Sequence, residues 1–420
     1  MCYTIKSYIL LRIKEAFPLK YWAGFLTAAI LGAISWVLMQ FGAEFTTLVD
    51  MVFPYVTRTV MGYLAVWSAP LEFCLWQLIV VAAAVVLIAT IVLMIVMKWN
   101  PIRWAGWVLA VCSLVYLLHT LVFGLNYHAG DLADDIRLEK RQYTVEELAA
   151  ATTYYRDMAN LLADQVKRDA NGDVDFADFE VLAKQASDGF DTLVYDYSYP
   201  IFAGSTIPVK KLGWADMYSS MGITGVTMGL TGEAAVNPQI PDVTLPFTMC
   251  HEMAHRMSIA TERDANFAGF LASQANEDIQ FRYSAYFMAY RYCYNALINA
   301  NNIQAAGAAA RIASEAGPEL QHDMLHYAQF FSEKQSKAAT NVANTVNDTY
   351  LRTSGDSGIA PYGEVCDLLV NWHYKTVVLP SITEAVKVFD PFDESQVDLS
   401  GIVNAKEQQV NTDDNPGGVG

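Results

Sequence analysis

A chain of 420 residues has room for a membrane region and one sizeable globular region. Its formal net charge of -17 speaks against a nucleic-acid partner, which would need a basic stripe. Six scattered cysteines with no CxxC pair exclude a disulfide framework and leave at most one bridge in the globular part.

Three near-continuous apolar runs come first: Tyr21 to Phe41, Cys74 to Met97 and Trp104 to Leu125. Each meets the roughly 20 residues that a helix needs to cross a ~30 Å hydrocarbon core. Trp22, Trp76, Trp99, Trp104 and Trp107 stand near their ends, where an interfacial aromatic belt belongs. Lys6, Arg12, Lys14 and Lys20 precede the first run, and Lys98 and Arg103 lie between the second and third. The positive-inside rule assigns these to the cytoplasm and everything after Asn126 to the outside. Glu44 to Glu72 reads as an external loop whose apolar parts lie in the interface.

Beyond residue 128 the composition becomes that of an ordinary globular protein. Thr144-Val145-Glu146-Glu147 is a capping-box pattern opening a helix towards Lys167. Asp169 to Glu180 has the acidic ends of a calcium loop, but Val174 occupies the position where that loop needs glycine. A turn between two helices is the expectation. Ile223 to Val236, with Gly225, Gly229 and Gly232, reads as an irregular strand or ribbon. From Thr248 the pattern is mostly helical to about Thr349, and Tyr362 to Val378 reads as a further helix.

The chemistry concentrates in His251-Glu252-Met253-Ala254-His255. Residues four apart share one helix face, so both histidines can bind one metal. Glu252, one step round, can act as general base on a water that a zinc ion activates. This is the HExxH pattern of zinc peptidases. Glu262 leads as third ligand, with Asp264 and Glu277 behind it. In a continuous helix Glu262 would lie about 10 Å further along the axis. The chain must therefore turn between Met257 and Thr261, with Ser258 as turn residue. The ribbon upstream is placed to hold an extended substrate by backbone pairing; Glu233 there is a candidate contact for an amine or basic side chain, with a solvated strand carboxylate the favoured alternative. His322 and His326 share the i, i+4 spacing but lack an adjoining glutamate, which favours a surface or core pair. Tyr362 and His373 are candidate substrate or oxyanion contacts.

The chain resembles an uncharacterised bacterial membrane-protein family, domain of unknown function 3810. The resemblance rests on Gly124-Leu125-Asn126-Tyr127, Gly222-Ile223-Thr224-Gly225-Val226, Thr231-Gly232-Glu233-Ala234 and Leu245-Pro246-Phe247-Thr248. It continues through Glu262-Arg263-Asp264-Ala265-Asn266-Phe267, Asn347-Asp348, Tyr350-Leu351 and Tyr362-Gly363. The Glu262-x-x-Ala265-Asn266 segment is also similar to the third-ligand segment of glutamate-type zincins. That resemblance implies zinc on His251, His255 and Glu262, with Asn266 or Asp264 supporting, although a glycine would be expected between Arg256 and Thr261.

The expected architecture is a membrane α-helical region, residues 1–128, followed by a mostly α, α+β zincin-like domain over 129–389 and a disordered tail over 390–420. The expected protein is a multi-pass zinc metallopeptidase of the bacterial cell membrane, its catalytic domain extracytoplasmic and its substrate a peptide or protein. The alternative is a catalytically silent sensor or scaffold binding an extracellular peptide.

Overall fold

The structure, a computed structural model, describes residues 19–204, 206–356 and 363–381. Tyr362 and the tail over 390–420 lie outside the described residues. The fold is mostly helical. One compact unit runs to Asn371 and a second begins at Trp372.

Three helices are long and apolar enough to cross a membrane: α1 (Leu19–Glu44), α3 (Leu75–Val96) and α4 (Pro101–Val122). Pro101 sits in the first turn of α4, where its missing N–H costs nothing, and the Asn100 side chain caps it through the Arg103 N–H. Helices α1 and α4 meet at Gly24 and Gly106, so close that a Cβ on Gly24 would lie 2.4 Å from the Gly106 carbonyl carbon. Small residues at a crossing let apolar helices pack backbone to backbone.

The stretch expected as an external loop is instead a helix, α2 (Thr46–Ser68), begun one residue after α1 ends. Its inner face, Val49, Pro54, Thr57, Met61, Ala65 and Ser68, is buried. The Thr57 hydroxyl donates to the Val122 carbonyl at the end of α4 (2.7 Å) and accepts from the Asn126 amide (2.6 Å). Met39, Val49 and Leu125 close the same corner, where the ends of α1 and α4 meet the globular region.

In that region a short helix, α5 (Leu132–Asp135), precedes α6 (Val145–Ala163), which opens with the expected capping box at Thr144 and Glu147. The 169–175 loop closes as a turn: the Asp169 carboxylate accepts the Asn171 and Asp173 N–H groups, and Gly172 takes φ +88°. After α7 (Phe179–Tyr195), a three-stranded sheet has the order β1-β3-β2. Its members are β1 (Lys210–Lys211), β2 (Gly225–Met228) and β3 (Glu233–Val236), with α8 (Ala215–Met221) between β1 and β2. The expected ribbon is thus the β2–β3 hairpin, with Met228 opposite Glu233 and Thr227 opposite Ala234. Strand β3 is central, and β1 and β2 are the outer strands.

The core helices follow: α9 (Leu245–Arg256), α10 (Glu262–Ala275) and α11 (Ile279–Asn299). Every residue of α9 is buried. A Cβ on Gly189 of α7 would lie 1.9 Å from the Ala272 carbonyl oxygen, and one on Gly269 of α10 would lie 3.2 Å from the His251 nitrogen. These glycines let α7 and α9 close onto α10. Helices α12 (Ile303–Ser314), α13 (Pro318–Lys334) and α14 (Lys337–Ser354) complete the described globular part, with α15 (Gly363–His373) crossing into the second unit.

Candidate metal centre

Helix α9 ends at Arg256, and the chain reverses through Ser258, which holds φ +77° without being glycine. Thr261 then caps α10, its hydroxyl accepting the Asp264 N–H, so that Glu262 opens the new helix. This reversal brings Glu262 back over the histidines: its carboxylate oxygens lie 3.5 Å from His251 Nε2 and 3.8 Å from His255 Nε2. The three ligand atoms lie within 4.8 Å of one another. Around one tetrahedral zinc with bonds of about 2.0–2.1 Å, neighbouring ligand atoms stand roughly 3.3–3.5 Å apart. The two distances from Glu262 to the histidines are within a few tenths of an ångström of that.

The His255 ring is steered by the backbone, while the buried His251 Nδ1 has no hydrogen-bond partner among the described residues. His255 Nδ1 lies 2.8 Å from the Ile259 carbonyl, which makes Nδ1 the donor and leaves Nε2 a free lone pair facing Glu262. The His251 and His255 rings stand edge to face, centroids 4.7 Å apart. Asn266 lies beside His251, its oxygen accepting from the Tyr292 hydroxyl at 3.0 Å.

Burial, with the neighbouring His251, pushes the His255 imidazole down to about 4. Burial alone would raise Glu262, but the His251 hydrogen bond and both imidazoles pull it down to about 2. A neutral imidazole and an ionised carboxylate are electron-pair donors. Burial lowers His251, but the neighbouring Glu262 and Glu252 together raise it above the ordinary imidazole range.

The Glu252 carboxylate, a charge neighbour of His251 and Glu262, is held against the sheet. Its Oε2 and its carbonyl oxygen lie 2.7 and 2.8 Å from the Thr227 hydroxyl on β2. A Cβ on Gly225 would sit 2.3 Å from Glu252 Oε1, so only glycine leaves the carboxylate this berth. Burial pushes Glu252 up to about 7, against the opposing His251 charge and the Thr227 hydrogen bond.

The other sequence candidates go elsewhere. Asp264 accepts from the Leu132 N–H (3.1 Å) and from Arg263 (2.8 Å), tying α10 to α5. Glu277 and Asp264 are absent from the ligand cluster found among the described residues. Asp173 accepts from His322 and His326 at 2.9 and 3.0 Å, pinning the 169–175 turn to α13. The expectation for Glu233 is corrected: its carboxylate is buried and accepts the Leu75 N–H (2.8 Å), the Trp76 N–H (3.0 Å) and the Lys210 ammonium (2.7 Å). It caps α3 instead of facing a substrate. Removing one member of a buried ion pair strands the other. Glu233→Ala should therefore cost about 3 kcal/mol, read as a lower thermal midpoint of the detergent-solubilised protein. An unchanged midpoint would make the cap dispensable. His373 falls in the second unit.

Several residues near the site had no role in the sequence reading. Thr227 is one. Phe123, just past α4, stacks its ring edge on His255, centroids 6.4 Å apart. Tyr127 and Tyr350 meet at 6.0 Å beside Glu262, and burial, then their mutual contact, pushes the Tyr127 phenol well up. Both tyrosines stand in segments that carry the family resemblance, which was the available signal. A cavity of about 200 Å³ lies behind the 258–264 turn, lined by Asp50, Asp131, Asp135 and Asp356 rather than by the ligand trio.

The family model described as protein of unknown function (DUF3810) matches residues 50–370. The chain belongs to this family. Searches of curated proteins and of solved structures returned no match. The DUF3810 match contains His251, Glu252, His255 and Glu262 together with Thr227 and Gly225, whereas α1 and His373 fall outside it.

Proposed function

We propose that this protein is a zinc-dependent peptidase of the bacterial cell membrane, with a zincin-like catalytic region held outside the cytoplasm. The observation that carries this reading is the juxtaposition of the His251–His255–Glu262 trio with a buried Glu252 at an outer strand. His251, His255 and Glu262 would hold the zinc, which when bound supplies a Lewis acid that polarises a carbonyl and acidifies water. Glu252, with a proton affinity near neutral pH, takes a proton from the attacking water and returns it to the departing amine. Thr227 fixes its carboxylate while the reaction proceeds. The unpaired edge of β2 offers backbone groups to an extended peptide beside Glu252.

The three apolar helices supply the anchor. Lys20, Lys98 and Arg103 flank the ends opposite the globular region, which orients that region to the outside. Protease added to intact cells from which any outer barrier has been stripped should digest the region after Asn126. Digestion only after the inner membrane is permeabilised would reverse the orientation. The peptidase reading is tested by zinc analysis of the purified full-length protein together with cleavage of a peptide library. A protein without zinc that cleaves nothing would overturn it.

A further inference from the structure

On the peptidase reading, the substrate must lie where the metal centre sits. The metal centre is built against the ends of the apolar helices. Phe123, one residue beyond α4, touches the His255 ring. The first N–H groups of α3 are held by Glu233, on the strand that pairs with Glu252's support, β2. Helix α2 lies at these ends, bonded through Thr57 to the last residue of α4. A Cβ on Gly232, in the β2–β3 turn, would come within 2.2 Å of the Met61 carbonyl oxygen, so the hairpin rests on α2.

The opposite face of α2 has the wrong chemistry for water. It presents Met51, Tyr55, Tyr63 and Trp67, the last 84% exposed. An aqueous surface helix carries polar residues there. A second element repeats the pattern independently. Trp214 is exposed, and its neighbour Gly213 exchanges hydrogen bonds with Gln77 in the first turn of α3 (3.0 and 3.2 Å). Amphipathic aromatic rings at the level where apolar helices end are what a headgroup boundary selects. Only Phe45 separates α2 from α1, so α2 starts at the level where that apolar helix ends.

We infer that α2 and Trp214 are seated in the lipid interface, and that the centre acts on peptide segments adjoining a membrane anchor of their own protein. With the His255 ring against a residue at the span's end, a bond cleaved here lies close to the headgroups. A segment next to an anchor is delivered there at high effective concentration, and a free peptide is not.

The test uses the full-length, zinc-loaded protein in phosphatidylethanolamine–phosphatidylglycerol vesicles and has two arms. In the first, a lipid carrying a photoreactive group near its headgroup should label the peptides containing Tyr63, Trp67 and Trp214. Label confined to the three spans would overturn the interfacial seat. In the second, one randomised peptide library is offered in three forms: free, joined directly to a lipid anchor, or joined through a flexible spacer. The spacer has about 40 residues and a root-mean-square reach of roughly 35 Å. Direct anchoring should give at least about tenfold faster cleavage than the spacer, following the fall of effective concentration with tether length. Equal rates for all three forms would overturn the substrate assignment while leaving the peptidase reading intact. Failure to cleave any form would overturn both, and the labelling arm would still decide the seat of α2.

Discussion

Glu252→Gln should retain its zinc and its fold yet lose peptide hydrolysis by about 10²–10⁴-fold, the usual worth of general-base assistance. The amide is isosteric and can still pack against Gly225 and bond the Thr227 hydroxyl, so the hairpin contact survives. It cannot take up the proton from water. Paired measurements of zinc content and turnover in the wild type and the variant decide the matter. Equal zinc with lost turnover and lost biological output supports catalysis. Equal zinc with unchanged output would leave a peptide-binding sensor as the better account.

Removing a ligand should do the reverse, acting first on the metal. His251→Ala and Glu262→Ala should each weaken zinc affinity by more than the roughly 10–100-fold that loss of an outer supporting partner costs. Metal analysis after dialysis against a chelator gives the readout. Asp264 is a poor substitute for Glu262, because its oxygens already accept from Leu132 and Arg263. Full zinc occupancy in Glu262→Ala would strike that residue from the ligand set.

The parts legible in the sequence were those written in short-range spacing. Span positions follow from the length of apolar runs, and the histidine pair from a separation of four. The reversal at Ser258 was legible for a different reason: Glu262 could reach the pair only if the helix broke. Long-range partners left no such trace. Thr227 and Glu252 are 25 positions apart, and Glu233 finds the Leu75 N–H across 158. A strand glutamate gives no local sign that it will cap a distant helix. Helix α2 was hidden because it is apolar on both faces and contains Pro54, which blurs the period a surface helix would show.

The hairpin grips two things at once, and this makes it a mechanical link. Glu233 holds the first turn of α3, a helix whose apolar length is otherwise unburied, while Thr227, next to Glu233's cross-strand partner Met228, holds the Glu252 carboxylate. A span tilts when bilayer thickness departs from its own length. Between the capped end of α3 and the Glu252 carboxylate stand two hydrogen-bonded grips and one strand pairing, with no loop among them, so a tilt of α3 has a short path to that carboxylate.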